Sequence, residues 1–236
     1  MADSVLIILP TYNERDNLEP LVTAVHGSLP EARLLVIDDG SPDGTGELAD
    51  RVATSDDRLE VIHRPGKQGL GTAYLLGFRH ATDRGYDYVF EMDSDFSHDP
   101  RSLPDLLAAA RGGADLVIGS RWVPGGGTVN WGFGRQLISR GGSFYARTIL
   151  GVGIRDLTSG FKCFRRQTLE RIDLPSVRSS GYSFQVEMNY RVLRAGMRIA
   201  EVPITFADRR VGQSKMSRAI FLEAVVMVWK LRLGLV

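Results

Sequence analysis

The chain has 236 residues, 43% hydrophobic and 24% charged, which is enough for one sizeable α/β core. Its formal net charge of +1 provides no global field to attract nucleic acid. Cys163 is the single cysteine, so an internal disulfide and a cysteine-built zinc site are excluded. Beside Phe164, it reads as a small buried apolar side chain.

In chain order, Met1-Ala2-Asp3-Ser4 lacks the basic start of a signal peptide and runs straight into Val5-Leu6-Ile7-Ile8-Leu9, a predicted buried strand. Pro10-Thr11-Tyr12-Asn13-Glu14 follows, then an amphipathic helix over 17–25. The run Leu34-Leu35-Val36-Ile37 predicts a second strand, ending in Asp38-Asp39-Gly40-Ser41-Pro42-Asp43-Gly44-Thr45. Asp39 and Asp43 are expected to form turns, and Thr45 to cap a helix over 45–53. A short strand over 59–62 and a helix over 69–81 lead to the apolar run Tyr88-Val89-Phe90. That fourth strand ends in Asp93-Ser94-Asp95, and His98-Asp99-Pro100 turns the chain away. A helix over 103–110 and a strand over 115–119 complete an alternation that predicts a mostly parallel, doubly wound α/β sheet in a single domain, 1–236.

Past Arg121 the pattern changes. Residues 123–129 contain three consecutive glycines and predict a flexible loop, either a plain surface connection or a lid over the site. A helix is expected over 133–150, another over 182–195, and a strand over 198–206. The helix over 133–150 interleaves Arg135, Arg140 and Arg147 with Leu137, Ile138, Phe144 and Tyr145. It suits a membrane surface or an ordinary core helix whose arginines reach outward. Residues 219–236 are apolar but interrupted by Glu223, Lys230 and Arg232, so no transmembrane helix is expected. The expectation is a soluble or peripheral protein of the cytoplasm.

Three predicted strands thus end in polar, carboxylate-bearing clusters, and ligands of open α/β sheets bind beyond such ends. Asp93 and Asp95 offer hard oxygen donors suited to Mg²⁺ or Mn²⁺ beside a phosphorylated ligand. An Asp-x-Asp alone is equally a helix cap or an exposed turn; the convergence of three clusters is what argues for a site.

The segments PTYNE, DDGSPDGT, GLGTAY, MDSDFSH, GSRW and ADRRVGQSK resemble those of the inverting family 2 glycosyltransferases, and most of all the dolichol- or polyprenol-phosphate mannose synthases. The resemblance runs from about Val5 to about Lys215. It implies a GT-A (Rossmann-like) fold, GDP-mannose as donor, a polyprenyl (dolichyl) phosphate as acceptor, Mg²⁺ or Mn²⁺, and contact with the membrane surface, with an anchoring partner subunit left open. Residues 1–121 are then the nucleotide-sugar half and 122–236 the acceptor and membrane-facing half.

By the same resemblance, Pro10, Tyr12 and Glu14 hold the nucleoside, Tyr12 against the base and Glu14 accepting from it; the plainer reading is that Asn13-Glu14 caps a helix. Val36 and Asp38 complete that pocket. Asp93, Ser94 and Asp95 form the diphosphate site, with Asp95 the stronger metal ligand. Ser97 is a further oxygen ligand or a helix cap. Arg121, Arg209 and Lys215 clasp the phosphates, Arg135 and Ser139 contact the lipid phosphate, and His98 is structural. Three alternatives remain: the same fold using UDP-glucose or UDP-GlcNAc, a sugar-phosphate nucleotidyltransferase, and a non-catalytic binding module. PTYNE, where a nucleotidyltransferase would carry a Gly-rich basic loop, argues against the second.

Overall fold

The computed structural model describes residues 3–177, 179, 181–208 and 218–235. A seven-stranded sheet runs in the order β3-β2-β1-β4-β7-β5-β8. Its strands are β1 (Val5–Thr11), β2 (Ala32–Asp38), β3 (Leu59–His63), β4 (Tyr88–Glu91), β5 (Leu116–Ser120), β7 (Lys162–Arg165) and β8 (Ile199–Pro203). Every pairing is parallel except those of β7, which runs antiparallel between β4 and β5. β1 is apolar without alternation because both sheet faces are covered. Leu6 and Ile8 pack on one side with Leu35, Ile37, Tyr74, Phe78 and Phe164. Val5, Ile7 and Leu9 pack on the other with Leu34, Val36, Phe90, Leu106 and Val117.

Helices α1 (Arg15–Ser28), α2 (Thr45–Ser55), α3 (Leu70–Asp83) and α4 (Leu103–Arg111) follow β1 to β4 in turn. α1 buries Leu18, Leu21, Val22 and Val25, one helical face at three- and four-residue spacing. α3 lies so close to β1 that a Cβ on Gly77 would stand 2.6 Å from Ile8 Cδ1. The second half adds α5 (Phe133–Leu150), α6 (Arg166–Arg171), α7 (Gly181–Arg194) and α8 (Arg218–Leu233), with α8 packed on both α5 and α7. Among the described residues, no helix is long and apolar enough to cross a membrane.

Three sequence expectations change. Thr45 is not the cap of α2, because Gly44 holds that position at φ 87°, while the Thr45 hydroxyl donates to Asp43 and accepts from the Glu14 N–H. The single strand expected over 198–206 is two. Pro203 ends β8 without an N–H to give, and the chain passes through Ile204 into β9 (Thr205–Ala207). β9 pairs with β6 (Gly127–Val129), so the predicted loop over 123–129 contains an ordered strand. Gly126 permits the turn, since a Cβ there would lie 2.5 Å from the Ser120 carbonyl oxygen.

Candidate active site at the carboxyl edge of the sheet

Register brings the polar clusters together. β1 and β2 pair as far as Thr11↔Asp38, and β1 and β4 as far as Ile8↔Glu91. Residues 10–14, 38–45 and 93–98 therefore leave the sheet at one edge. Because β7 is antiparallel and starts at Lys162↔Glu91, the segment 156–161 that feeds it arrives at the same edge.

The first two clusters are tied to each other. The Asn13 N–H donates to Ser41 Oγ at 3.0 Å, and Thr11 Oγ1 to Asp38 Oδ1 at 2.9 Å. Asn13 takes φ 62°, a conformation asparagine tolerates better than most residues, and this sets Tyr12 and Glu14 on either side of the bend. Glu14 occupies the cap position of α1 without a capping side-chain bond; instead its Oε2 accepts from Asn17 Nδ2 at 2.9 Å. Lys67 Nζ sits 4.7 Å from the centre of the Tyr12 ring. Asp43 accepts from the Thr45 and Arg15 N–H groups and is the turn-former the sequence suggested, whereas Asp39 is bound by the buried Arg64 guanidinium and by the Gln68 N–H, and so ties its loop to a distant segment instead. Val36 belongs to the apolar core with no exposure, which leaves only its backbone to face a nucleoside. Asp38 is also buried, and its carboxylate is engaged by Thr11 and by both the hydroxyl and N–H of Ser41. It shapes the pocket wall by holding the loop.

Asp93, Ser94 and Asp95 are placed by bonds on every side. Ser94 Oγ donates to the Pro10 carbonyl at 3.0 Å, joining the end of β4 to the end of β1. The Asp93 N–H donates to His98 Nδ1 at 3.0 Å, and the Ser97 N–H to Asp95 Oδ1 at 3.0 Å. His98 is buried, stacked on Phe161 at 4.9 Å and edge-on to Phe206 at 5.4 Å, which makes it the structural residue expected. Tyr74 OH approaches Asp93 Oδ1 at 3.4 Å; burial first, then the Asp93 charge, push its pKa well above the ordinary value, so it stays protonated. Ser97 Oγ is buried with no hydrogen-bond partner among the described residues. It caps nothing, and it leaves an unsatisfied hard oxygen on the turn that carries Asp93 and Asp95. This donor set fits Mg²⁺ or Mn²⁺. No group of three His, Cys, Asp or Glu side chains forms a cage among the described residues.

Beneath Asp93 lies a buried pair that sequence reasoning missed. Glu91 and Lys162 face each other across β4 and β7 with no exposure. Burial pushes Glu91 up to about 7 and Lys162 down to about 8, each held back by the other's charge. Lys162 Nζ also donates to the Gln185 backbone carbonyl at 3.2 Å. A lysine opening a four-residue strand gives no local sign of its burial.

Arg121 leaves β5 into a cluster of rings. Its Nε and Nη2 donate to the two oxygens of Asp156, each at 2.7 Å, and Nη2 reaches Thr158 Oγ1 at 3.0 Å. The guanidinium carbon lies 5.3–5.5 Å from the ring centres of Trp122, Trp131 and Phe206. Arg135 stacks on Trp131 at 4.0 Å and pairs with Asp208 at 2.7 Å. Ser139 sits one turn further along α5, half-buried. Arg209 and Lys215 lie outside the described residues. Asp156, Trp122, Trp131 and Phe206 were not singled out from sequence; an Asp just before a Thr-Ser-Gly turn was the one available signal for the first.

A mostly parallel sheet with an Asp-x-Asp turn at its carboxyl edge is the architecture of the GT-A glycosyltransferases. Residues 6–173 match the glycosyl transferase family 2 model, and the chain belongs to that family. It is 50% identical over 230 residues, 96% of this chain and 87% of the other, to polyprenol monophosphomannose synthase of Mycolicibacterium smegmatis. It is 52% identical over 224 residues, 95% of this chain and 92% of the other, to undecaprenyl-phosphate mannosyltransferase of Micrococcus luteus. Among solved structures, the fold is shared with glucosyl-3-phosphoglycerate synthase of Mycobacterium tuberculosis, described in complex with Mn²⁺, UDP and glucosyl-3-phosphoglycerate. That match has a TM-score of 0.70 and 20% identity, and covers 99% of this chain and 81% of the other.

Proposed function

We propose that this enzyme transfers mannose from GDP-mannose to a polyprenyl phosphate, giving polyprenyl β-phosphomannose and GDP. The observation that carries the reading is near-complete coverage at 50% and 52% identity by two relatives whose names specify mannose and a polyprenyl acceptor. The site's chemistry is consistent with it. Tyr12 offers a ring to the base, and Glu14, steadied by Asn17, a carboxylate that can accept two parallel N–H bonds from guanine. Asp93, Asp95 and Ser97 would hold the divalent ion, which neutralises charge on the leaving diphosphate. Ser94, fixed on Pro10, sets the turn. Arg121 keeps one guanidinium nitrogen beyond its Asp156 and Thr158 bonds for a phosphate. Arg135, Ser139, Arg209 and Lys215 are the remaining phosphate ligands of the reading.

The acceptor explains the lack of an evident general base. A phosphate monoester has its second pKa near ~6 and is largely dianionic at neutral pH, so it attacks the anomeric carbon without first losing a proton. Attack opposite the diphosphate inverts configuration, and the protein contributes positioning and fixed charge.

Residues 1–121 then serve the nucleotide sugar, and 122–236 the acceptor and the bilayer. Phe133, Leu137, Ile138 and Phe144 of α5 and Val226, Trp229 and Leu233 of α8 are exposed apolar side chains, on two helices joined by Tyr145 OH donating to the Val225 carbonyl. Such a surface suits peripheral binding to the cytoplasmic leaflet, with or without a partner subunit. The test uses purified protein, labelled GDP-mannose, a short polyprenyl phosphate and Mg²⁺ or Mn²⁺, with product extracted into organic solvent. Transfer from GDP-mannose, not displaced by UDP-glucose or UDP-GlcNAc, supports the reading; preferential transfer from a UDP-sugar overturns the donor.

A further inference from the structure

Two buried hydrogen-bond donors lie next to the phosphate-gripping arginines with nothing to bind. The indole Nε1 atoms of Trp122 and Trp131 are both solvent-inaccessible and have no hydrogen-bond partner among the described residues. A buried donor left unsatisfied is destabilising, and such groups are uncommon enough to require a cause. These two share a neighbour, since the Arg121 guanidinium carbon lies 5.4 Å from one ring centre and 5.5 Å from the other.

The surroundings specify what would satisfy them. Arg140 lies over Trp122 at 4.6 Å and Arg135 over Trp131 at 4.0 Å, so three arginines converge on two indoles. Asp156 and Asp208 pair with Arg121 and Arg135, whereas Arg140 is exposed and takes part in no salt bridge among the described residues. The cluster therefore holds a cation in excess and two neutral N–H donors that reject a metal ion, beside an apolar stretch of α5. Trp131 meets Phe206 edge-on at 5.2 Å, and Phe206 meets His98, which holds the Asp93 backbone. The rings thus run from the Asp-x-Asp turn to α5, whose Phe133 and Leu137 are exposed.

We propose that Trp122 and Trp131 are acceptor-binding residues: their indole N–H groups donate to the oxygens of a phosphate monoester, and the exposed Phe133 and Leu137 of α5 meet the start of its isoprene chain. Arg140 supplies the charge that the Asp-paired arginines lack. A dianionic head with several acceptor oxygens joined to an apolar chain matches each element of the cluster, and free phosphate or a neutral lipid matches only part of it. The inference rests on the acceptor assigned under the proposed function, and it adds the residues that choose a phosphorylated prenyl chain over either fragment.

The experiment has two arms, both on the full chain. In the first, W229F, which leaves only the two site tryptophans, is titrated with a short polyprenyl phosphate, the matching polyprenol and inorganic phosphate while indole emission is recorded. A saturable change with the polyprenyl phosphate at concentrations where the other two give none is expected. Equal responses to polyprenol and polyprenyl phosphate overturn the phosphate contact. In the second arm, W122F and W131F keep a ring and lose the N–H. Each should raise the KM for polyprenyl phosphate about tenfold or more and leave the KM for GDP-mannose unchanged. Unchanged acceptor KM in both variants, with an active wild type, overturns the inference while the mannosyltransferase reading stands. A specific emission change in a protein that transfers no mannose supports the inference while that reading falls.

Discussion

Arg121 and Asp156 form a two-pronged ion pair, Nε and Nη2 each 2.7 Å from a carboxylate oxygen, with the Asp156 side chain fully buried and that of Arg121 5% exposed. The backbone N–H of Arg121 donates to the same carboxylate at 3.0 Å. Asp156 thereby fixes the direction in which the remaining guanidinium edge faces. Removing one partner of a buried pair typically costs about 3–5 kcal/mol, so Asp156→Ala should lower unfolding stability by that order and abolish transfer. Arg121→Lys should also transfer poorly, because a single ammonium cannot reproduce the fork. Urea unfolding and product extraction measure the two effects; wild-type stability in Asp156→Ala would remove the pair from the fold.

Asp95→Ala should reduce metal-dependent transfer about a hundredfold or more, given the several kcal/mol that a catalytic cation contributes. Asp93→Ala should be comparably severe. Thermal unfolding should show a folded protein, and titration with Mn²⁺ should show weakened metal binding. Retained metal dependence at near-normal rate would assign the ion elsewhere.

Glu14→Ala should raise the KM for GDP-mannose about tenfold and leave kcat nearly unchanged, because an interaction with the base is equal in ground and transition states. Steady-state kinetics with each substrate varied in turn separates the cases. A loss confined to kcat would move Glu14 to the reacting centre.

Membrane binding should be peripheral. Basic side chains near anionic lipid contribute about 1 kcal/mol each, so flotation with liposomes should strengthen with anionic lipid and weaken with salt. Protein that resists a carbonate wash would require an integral anchor, and protein that never floats would require a recruiting partner.

Acid stability should depend on Asp56. Hydrogen bonding from the Arg58 side chain, opposed by burial, holds its carboxyl at about 2. A depressed folded value stabilises above the unfolded value near 3.8, and the contribution disappears as pH falls through about 2. Asp56→Asn should therefore lose stability at neutral pH and show a shallower decline in Tm below pH 4. Parallel acid limbs in wild type and variant would contradict this.

The chain by itself determined the first half. Contiguous apolar runs such as 5–9 and 34–37, and the helical spacing after them, are local signals, and the parallel alternation follows from them. Pro10, Tyr12, Glu14, Asp93 and Asp95 were legible as a group because each closes such a run, and a parallel sheet sends every closing residue to one edge. What only the tertiary structure decided depends on pairings that no local pattern records. The four residues of β7 insert antiparallel between β4 and β5, and Lys162 is tolerated there because Gln185 binds its ammonium and the Glu91 charge lies opposite. Arg121 finds Asp156 across 35 positions, β6 finds β9, and Arg121 lies beside the rings of both Trp122 and Trp131. The Asp-x-Asp edge is built from ends of single strands and is written locally; the cluster around Arg121 is built from contacts between distant segments, whose energies exist only once the sheet has closed.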